Sequence, residues 1–122
     1  MRKRRARPVI AALAALFFAA PALAADAGHG KALFAACLAC HTEQSDAQGP
    51  SLKSVAGRKA ASLEDFRYSN AMKRAEFIWD EANLRDYLRD PQAKVKGNHM
   101  PFSGFANASD ADDVVAYLRT YK

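Results

Sequence analysis

Cys37-Leu38-Ala39-Cys40-His41 holds both cysteines of this 122-residue chain, three residues apart, with a histidine directly after the second. That spacing is the attachment signature of a c-type haem. Residues three apart on a helix share a face, so the two thiols reach the two vinyl groups of one porphyrin. His41 then offers an imidazole nitrogen to the iron from the same side. Covalent attachment suits a small carrier with little protein to wrap around a large cofactor.

Other chemistries use the same residues. A Cys-x-x-Cys redox pair of the thioredoxin kind needs strand-helix-strand context, and no strand runs lie nearby. A zinc site needs two more ligands at a matching spacing. His29 and His99 are the remaining histidines and are far from such a spacing. A plain disulfide is the alternative in an exported chain.

Export is itself written at the start. Arg2, Lys3, Arg4, Arg5 and Arg7 precede an apolar run from Val9 to Ala20, then Pro21 and Ala22-Leu23-Ala24. A basic segment, a short apolar segment and a small-residue cleavage site make a secretory signal peptide over residues 1–24. The apolar run is shorter than the roughly 20 residues a spanning helix needs, so no stable membrane insertion is expected. An uncleaved anchor is the competing reading of this segment. The net charge of +5 belongs to the leader: removing it takes five basic residues and no acidic one, leaving 13 of each sign. Overall charge therefore gives no case for nucleic acid as a partner. An oxidising compartment fits two cysteines committed to thioethers, and the expected location is the periplasm.

Downstream the pattern is helical. Gly30, Leu33, Phe34, Cys37 and Leu38 recur at spacings of three and four, predicting a helix from Asp26 to Cys40 with the motif at its end. His41 to Ala61 reads as loop, with a helical turn over Ala60–Phe66. Ser69 caps a short helix covering Asn70 to Ala75. Asp80 caps the next, in which Leu84, Tyr87 and Leu88 form an apolar stripe, Glu81 and Arg85 make an i,i+4 pair, and Pro91 is the stop. Gln92 to Asn107 is loop. Ser109-Asp110-Ala111-Asp112 resembles a capping box, with Asp112 and Asp113 at the positive end of the helix dipole. Val114, Tyr117, Leu118 and Tyr121 give the last helix its buried stripe. The expected fold class is all-α. About a hundred mature residues have limited apolar area to bury, and a haem in the middle would supply much of the missing core.

Haem iron takes two axial ligands, and the second decides between electron transfer and small-molecule binding. Met72, Met100, His29 and His99 are the available fillers. Met100 lies in Lys96-Gly97-Asn98-His99-Met100-Pro101-Phe102-Ser103-Gly104-Phe105, a loop with glycine on both sides and apolar residues after the methionine. Such a loop folds over a porphyrin face and points a thioether at the metal. Met72 reads as packing, because methionine is a general gap-filler. His29 and His99 read as exposed.

The chain resembles the class I cytochromes c over nearly all of residues 26–121. The resemblance rests on Gly30-Lys31-Ala32-Leu33-Phe34, Gly49-Pro50-Ser51-Leu52, Gly57-Arg58-Lys59, Phe66-Arg67-Tyr68-Ser69, Trp79, Leu88-Arg89-Asp90-Pro91, Met100-Pro101-Phe102-Ser103-Gly104 and Val115-Ala116-Tyr117-Leu118, all in one order. It implies a monohaem domain over residues 25–122, with N- and C-terminal helices crossing and two to three shorter helices around one haem c. It implies Cys37 and Cys40 as attachment points and His41 and Met100 as axial ligands. The Pro50 carbonyl would accept from His41, and Arg58, Tyr68 and Trp79 would hold a buried propionate. Tyr87 would lie near the Met100 sulfur, and Phe102 would shield the haem edge. Gly30 and Phe34 would let the first helix cross closely against Val114 and Tyr117. Lys96 and Asn98 depart from the family, which usually has proline and often threonine there, and this questions the stiffness of the methionine loop.

The expected function is one-electron transfer, not enzymatic turnover, with both axial ligands staying bound. Docking on redox partners should be weak and transient: a bc-type complex, an oxidase, a photosynthetic reaction centre or a periplasmic dehydrogenase, met by a monomer. The rivals are a haem enzyme or gas sensor, which needs Met100 off the iron, and a thiol-disulfide oxidoreductase.

Overall fold

The computed structural model describes residues 14–19 and 23–122. The basic opening of the expected leader, and Pro21 and Ala22 of its cleavage site, lie outside the described residues. Leu16, Phe17, Phe18 and Leu23 are exposed and take no part in the core. Among the described residues no helix is long and apolar enough to cross a membrane.

The elements run α1 (Ala27–Phe34), a 3-10 segment (Ala35–Ala39), α2 (Asn70–Arg74), α3 (Glu81–Arg89), α4 (Pro91–Lys94) and α5 (Ala108–Leu118). No strand forms among the described residues beyond one isolated bridge between Lys59 and Ile78. The all-α expectation holds, with the first and last helices packed together and three further helices between them, of which α2 and α4 are short.

The crossing of α1 and α5 depends on Gly30. A Cβ built there would stand 1.9 Å from the Asp113 carbonyl oxygen, so the two backbones touch where a side chain is missing. One turn on, the Phe34 ring packs against Tyr117 and Tyr121 at centroid distances of 5.1 and 5.0 Å. Ala111, Val114, Val115 and Leu118 bury the inner face of α5. Beside the crossing the Asp113 carboxylate accepts from His29 Nδ1 at 2.7 Å and from the Asp26 backbone N–H at 2.7 Å. His29 is exposed as expected, yet it is paired.

Several local expectations are corrected. The first helix tightens into a 3-10 segment at Ala35, so the motif does not lie on α-helix. Ala60–Phe66 forms turns but no helix; Ala61 has a φ of 54°, outside the helical region. The Glu81–Arg85 pair does not form. Arg85 reaches Asp112 on α5, and Glu81 pairs with Arg119 at 2.9 Å. Partners on the neighbouring helix outcompete the exposed i,i+4 contact, whose worth is only about 0.3–0.5 kcal/mol. The last helix starts at Ala108 under an Asn107 cap whose side chain accepts from Ser109. Ser109 is thus inside the helix, Asp110 is the acid of its first turn, and Asp112 and Asp113 face partners on other elements. Pro91 does end α3, but it also opens α4. Proline suits the first helical position because its missing N–H has no partner there in any helix, and the Asp90 carboxylate caps the restart through Ala93 N–H at 3.0 Å.

Two measurements test the crossing. Gly30→Ala forces the helices apart and should cost about 3 kcal/mol, seen as a lower denaturant midpoint with an unchanged slope. The hydrogen bond from Asp113 raises the pKa of His29, and the same bond holds Asp113 below the usual carboxylate range. The raised imidazole contributes fully below its ordinary value of about 6.5, and that contribution is lost as pH rises through the raised value. The lowered carboxylate contributes above its ordinary value of about 3.9, and that is lost as pH falls through the lowered value. His29→Ala should therefore lower Tm most at about pH 5 and least at about pH 8; an equal loss at both would show that the ion pair adds nothing.

Candidate functional site

The 3-10 segment sets the geometry of the motif. Cys37 lies within it and Cys40 is its C-cap, and both side chains line the same cavity. The Cys37 carbonyl closes the turn by accepting from Cys40 N–H at 3.2 Å and from His41 N–H at 2.9 Å. Both thiols are free and half-buried, and burial pushes the Cys37 thiol pKa up.

His41 is held from two sides. Its Nδ1 lies 2.7 Å from the Pro50 carbonyl oxygen. A carbonyl only accepts, so Nδ1 carries the proton and the Nε2 lone pair is free for a metal. Gly49 packs flat on the ring: a Cβ there would stand 2.6 Å from its atoms. Burial lowers the His41 pKa, and the nearby Arg58 charge adds to this against the Pro50 bond. The ring is therefore neutral at pH 7, the form that ligates.

These residues open onto a cavity of about 630 Å³, within the roughly 300–1,000 Å³ of cofactor pockets. Cys37, Cys40, His41, Pro50, Arg58, Tyr68, Trp79, Tyr87, Met100 and Phe102 all line it. Every site residue singled out in the sequence is brought to this one space. Residues from the motif form one part of the wall, and the loop after α4 forms another. The Tyr87 hydroxyl on α3 lies 4.0 Å from the Met100 sulfur. Burial drives the Tyr87 pKa up to about 12, so the phenol keeps its proton. Trp79 stacks edge-on against Tyr87 at 5.0 Å, and Phe102, at the exposed rim, against Phe105 at 5.1 Å.

Arg58 is a half-buried guanidinium in a mostly apolar cavity. It donates to the Ser51 carbonyl at 2.8 Å and the Lys53 carbonyl at 3.2 Å, and no carboxylate among the described residues forms an ion pair with it. Burial lowers its pKa. The Tyr68 hydroxyl accepts from Leu63 N–H at 3.3 Å, leaving its own proton to donate. A half-buried cation and a spare donor on a mostly apolar cavity fit a cofactor that carries carboxylates. Two thiols, a neutral imidazole and a thioether on the same cavity fit an iron porphyrin.

Three contributors escaped the sequence reading. Met72 is 8% exposed and lines the cavity, so its packing role lies in the site wall. Gly49 reads as loop punctuation until its contact with His41 is seen. Asn98 is buried, which nothing in a polar loop announces.

The family model named Cytochrome c matches residues 27–122. The chain is 43% identical over 102 residues to cytochrome c2 of Rhodoblastus acidophilus, covering 81% of this chain and 95% of that protein. It is 38% identical over 105 residues to cytochrome c2 of Blastochloris viridis, covering 84% and 83%. Among solved structures it is similar to cytochrome cH from Methylobacterium extorquens, with a TM-score of 0.73 and 41% identity over 78% of this chain and 98% of that one.

Gly49→Ala tests the packing on the imidazole. The added methyl must push the ring off its seat, at a cost of about 1–3 kcal/mol. The expected readouts on the haem-loaded protein are a lower unfolding midpoint and a shifted resonance for the His41 ring; an unmoved His41 resonance would show that the loop, not the ring, gives way.

Proposed function

This chain belongs to the cytochrome c family, an electron carrier with one covalently bound haem c, and we propose that it works in the periplasm with His41 and Met100 as axial ligands. Cys37 and Cys40 carry the thioethers. The haem supplies a single electron, taken up and released as its iron alternates between two oxidation states.

The observation that carries this reading is the Tyr87 hydroxyl beside the Met100 sulfur, on the same cavity as the imidazole whose Nε2 is free. Tyr87 stays protonated and donates toward the sulfur, which steadies the thioether. Pro50 and Gly49 keep the His41 ring from turning. Arg58 and Tyr68, with Trp79, would hold a buried propionate and keep its charge paired. The apolar wall excludes water, and with a histidine–methionine pair it raises the reduction potential. Phe102 at the rim would cover the edge of a bound haem.

The leader over residues 1–24 is the export signal of this proposal, and the mature chain works as a monomer. Its partners are redox proteins engaged briefly: a bc-type complex, an oxidase, a reaction centre or a dehydrogenase. Small, short-lived interfaces suit such encounters.

Met100→Ala decides the ligand. It should abolish the weak long-wavelength thioether band of the oxidised protein and let the reduced protein bind carbon monoxide. The potential should fall by roughly 0.1 V or more, a modest part of the ~0.8 V that axial ligands command. A variant with the parent's spectrum and potential would exclude Met100 from the iron.

A further inference from the structure

The loop that carries Met100 lacks a proline before its turn. Lys96 precedes Gly97, which turns the chain at a φ of 92°, in the left-handed region. A loop so built would be loose if its backbone were its only support. Two amide side chains supply the missing support.

Asn98 is 8% exposed and fully engaged. Its Oδ1 accepts from the Met100 backbone N–H at 2.9 Å. Its Nδ2 donates to the Pro91 carbonyl and to the Val95 carbonyl, each at 2.9 Å. These partners fix the amide's orientation, since two carbonyls call for the nitrogen and an N–H calls for the oxygen. Gln92 on α4 grips the same turn from outside. Its Nε2 donates to the Asn98 carbonyl at 3.0 Å, and its Oε1 accepts from Gly97 N–H at 3.0 Å. Pro91, the anchor, is among the most deeply buried side chains of the protein.

We propose that Asn98 and Gln92 form a latch that positions Met100, tying its backbone to α4 so that the thioether stays on the iron in both oxidation states. Both are positioning residues that act through Met100. The assignment rests on the reading of Met100 as an axial ligand. The bland alternative is that Asn98 only gives the Pro91 and Val95 carbonyls a second donor. That accounts for its nitrogen, but it leaves the Oδ1 contact to the Met100 N–H and both Gln92 contacts unexplained.

The latch predicts a rate. Imidazole added to the oxidised haem protein displaces the thioether only when the loop opens, so at saturating imidazole the rate is that of opening. Gln92→Ala removes the hydrogen bonds to Gly97 and Asn98 from an exposed position and should raise the limiting rate roughly tenfold, the effect of about 1.4 kcal/mol. Its unfolding midpoint should fall by no more than this same loss. Asn98→Ala should raise the rate further and weaken the thioether band. Because Asn98 is buried, that variant can fail to fold, and Gln92→Ala then carries the test alone. Limiting rates equal to the parent's in a folded Gln92→Ala protein would overturn the latch while leaving Met100 as the ligand. Absence of the thioether band in the parent itself would remove the ligand and the latch together.

Discussion

Everything in this structure hangs on the contact of two helix backbones at Gly30. With a hydrogen for a side chain, α1 lies directly on the Asp113 carbonyl of α5. That contact fixes the direction in which α1 ends, and α1 ends in the turn that presents Cys37, Cys40 and His41. Phe34 between Tyr117 and Tyr121 prevents rotation about the contact. The chain after the motif is then tied to the C-terminus through Ser54 N–H and the Tyr121 carbonyl at 2.9 Å. Residues from both ends thus make the frame on which the site wall is mounted, and the site inherits the rigidity of the crossing.

The cavity solves an electrostatic problem. A low-dielectric space tolerates charge only when it is paired, so each titratable group on its wall must be neutral or engaged. His41 is neutral because it is buried, and the Pro50 carbonyl selects its tautomer. Tyr87 is neutral because burial lifts its pKa far above the working range. Arg58 is the half-buried exception, a cation that cannot shed its proton, and two carbonyls are weak compensation for it. On the proposed reading its proper counterion arrives with the cofactor. Folding and haem attachment then support each other: the cofactor would fill the apolar space and bring a counterion to the half-buried Arg58, while Arg67, the other arginine on the wall, is exposed to solvent.

How far the sequence revealed this depended on whether a feature's cause is local. Cys37, Cys40 and His41 are legible because covalent chemistry needs them adjacent. The caps at Ser69 and Asp80 were read correctly because a cap bonds to an N–H three residues away. The cap of α5 was misplaced at Ser109 because Asn107 competes for the same role, and only the path of the preceding chain decides between them. The charges of Glu81, Arg85 and Asp112 were misassigned because their partners come from across the α3–α5 contact. The wall residues Arg58, Tyr68, Trp79 and Tyr87 could not be read one by one. An isolated aromatic or arginine has an ordinary core or surface reading, and only a family resemblance spanning the chain assembled them.

The treatment of Pro91 joins the fold to the site. As a mere stop it would hand the chain to an unstructured loop, and the methionine that follows would be held by whatever the loop happened to touch. As the first residue of α4 it does more. Asp90 caps the restart, the short helix places the Pro91 and Val95 carbonyls side by side, and Asn98 donates to both. Four helical residues suffice because they need not be stable alone; they need only bring together two carbonyls that each accept one backbone N–H, from Val95 at 2.9 Å and from Asn98 at 3.1 Å, and keep a second lone pair open. A side-chain amide meets that need and extends its other face to Met100. Lys96, with no proline ahead of Gly97, is thus tolerable for a physical reason. Rigidity that a fixed φ would have provided within the loop is supplied instead by hydrogen bonds from outside it, at positions where a buried, unsatisfied partner would be costly to leave.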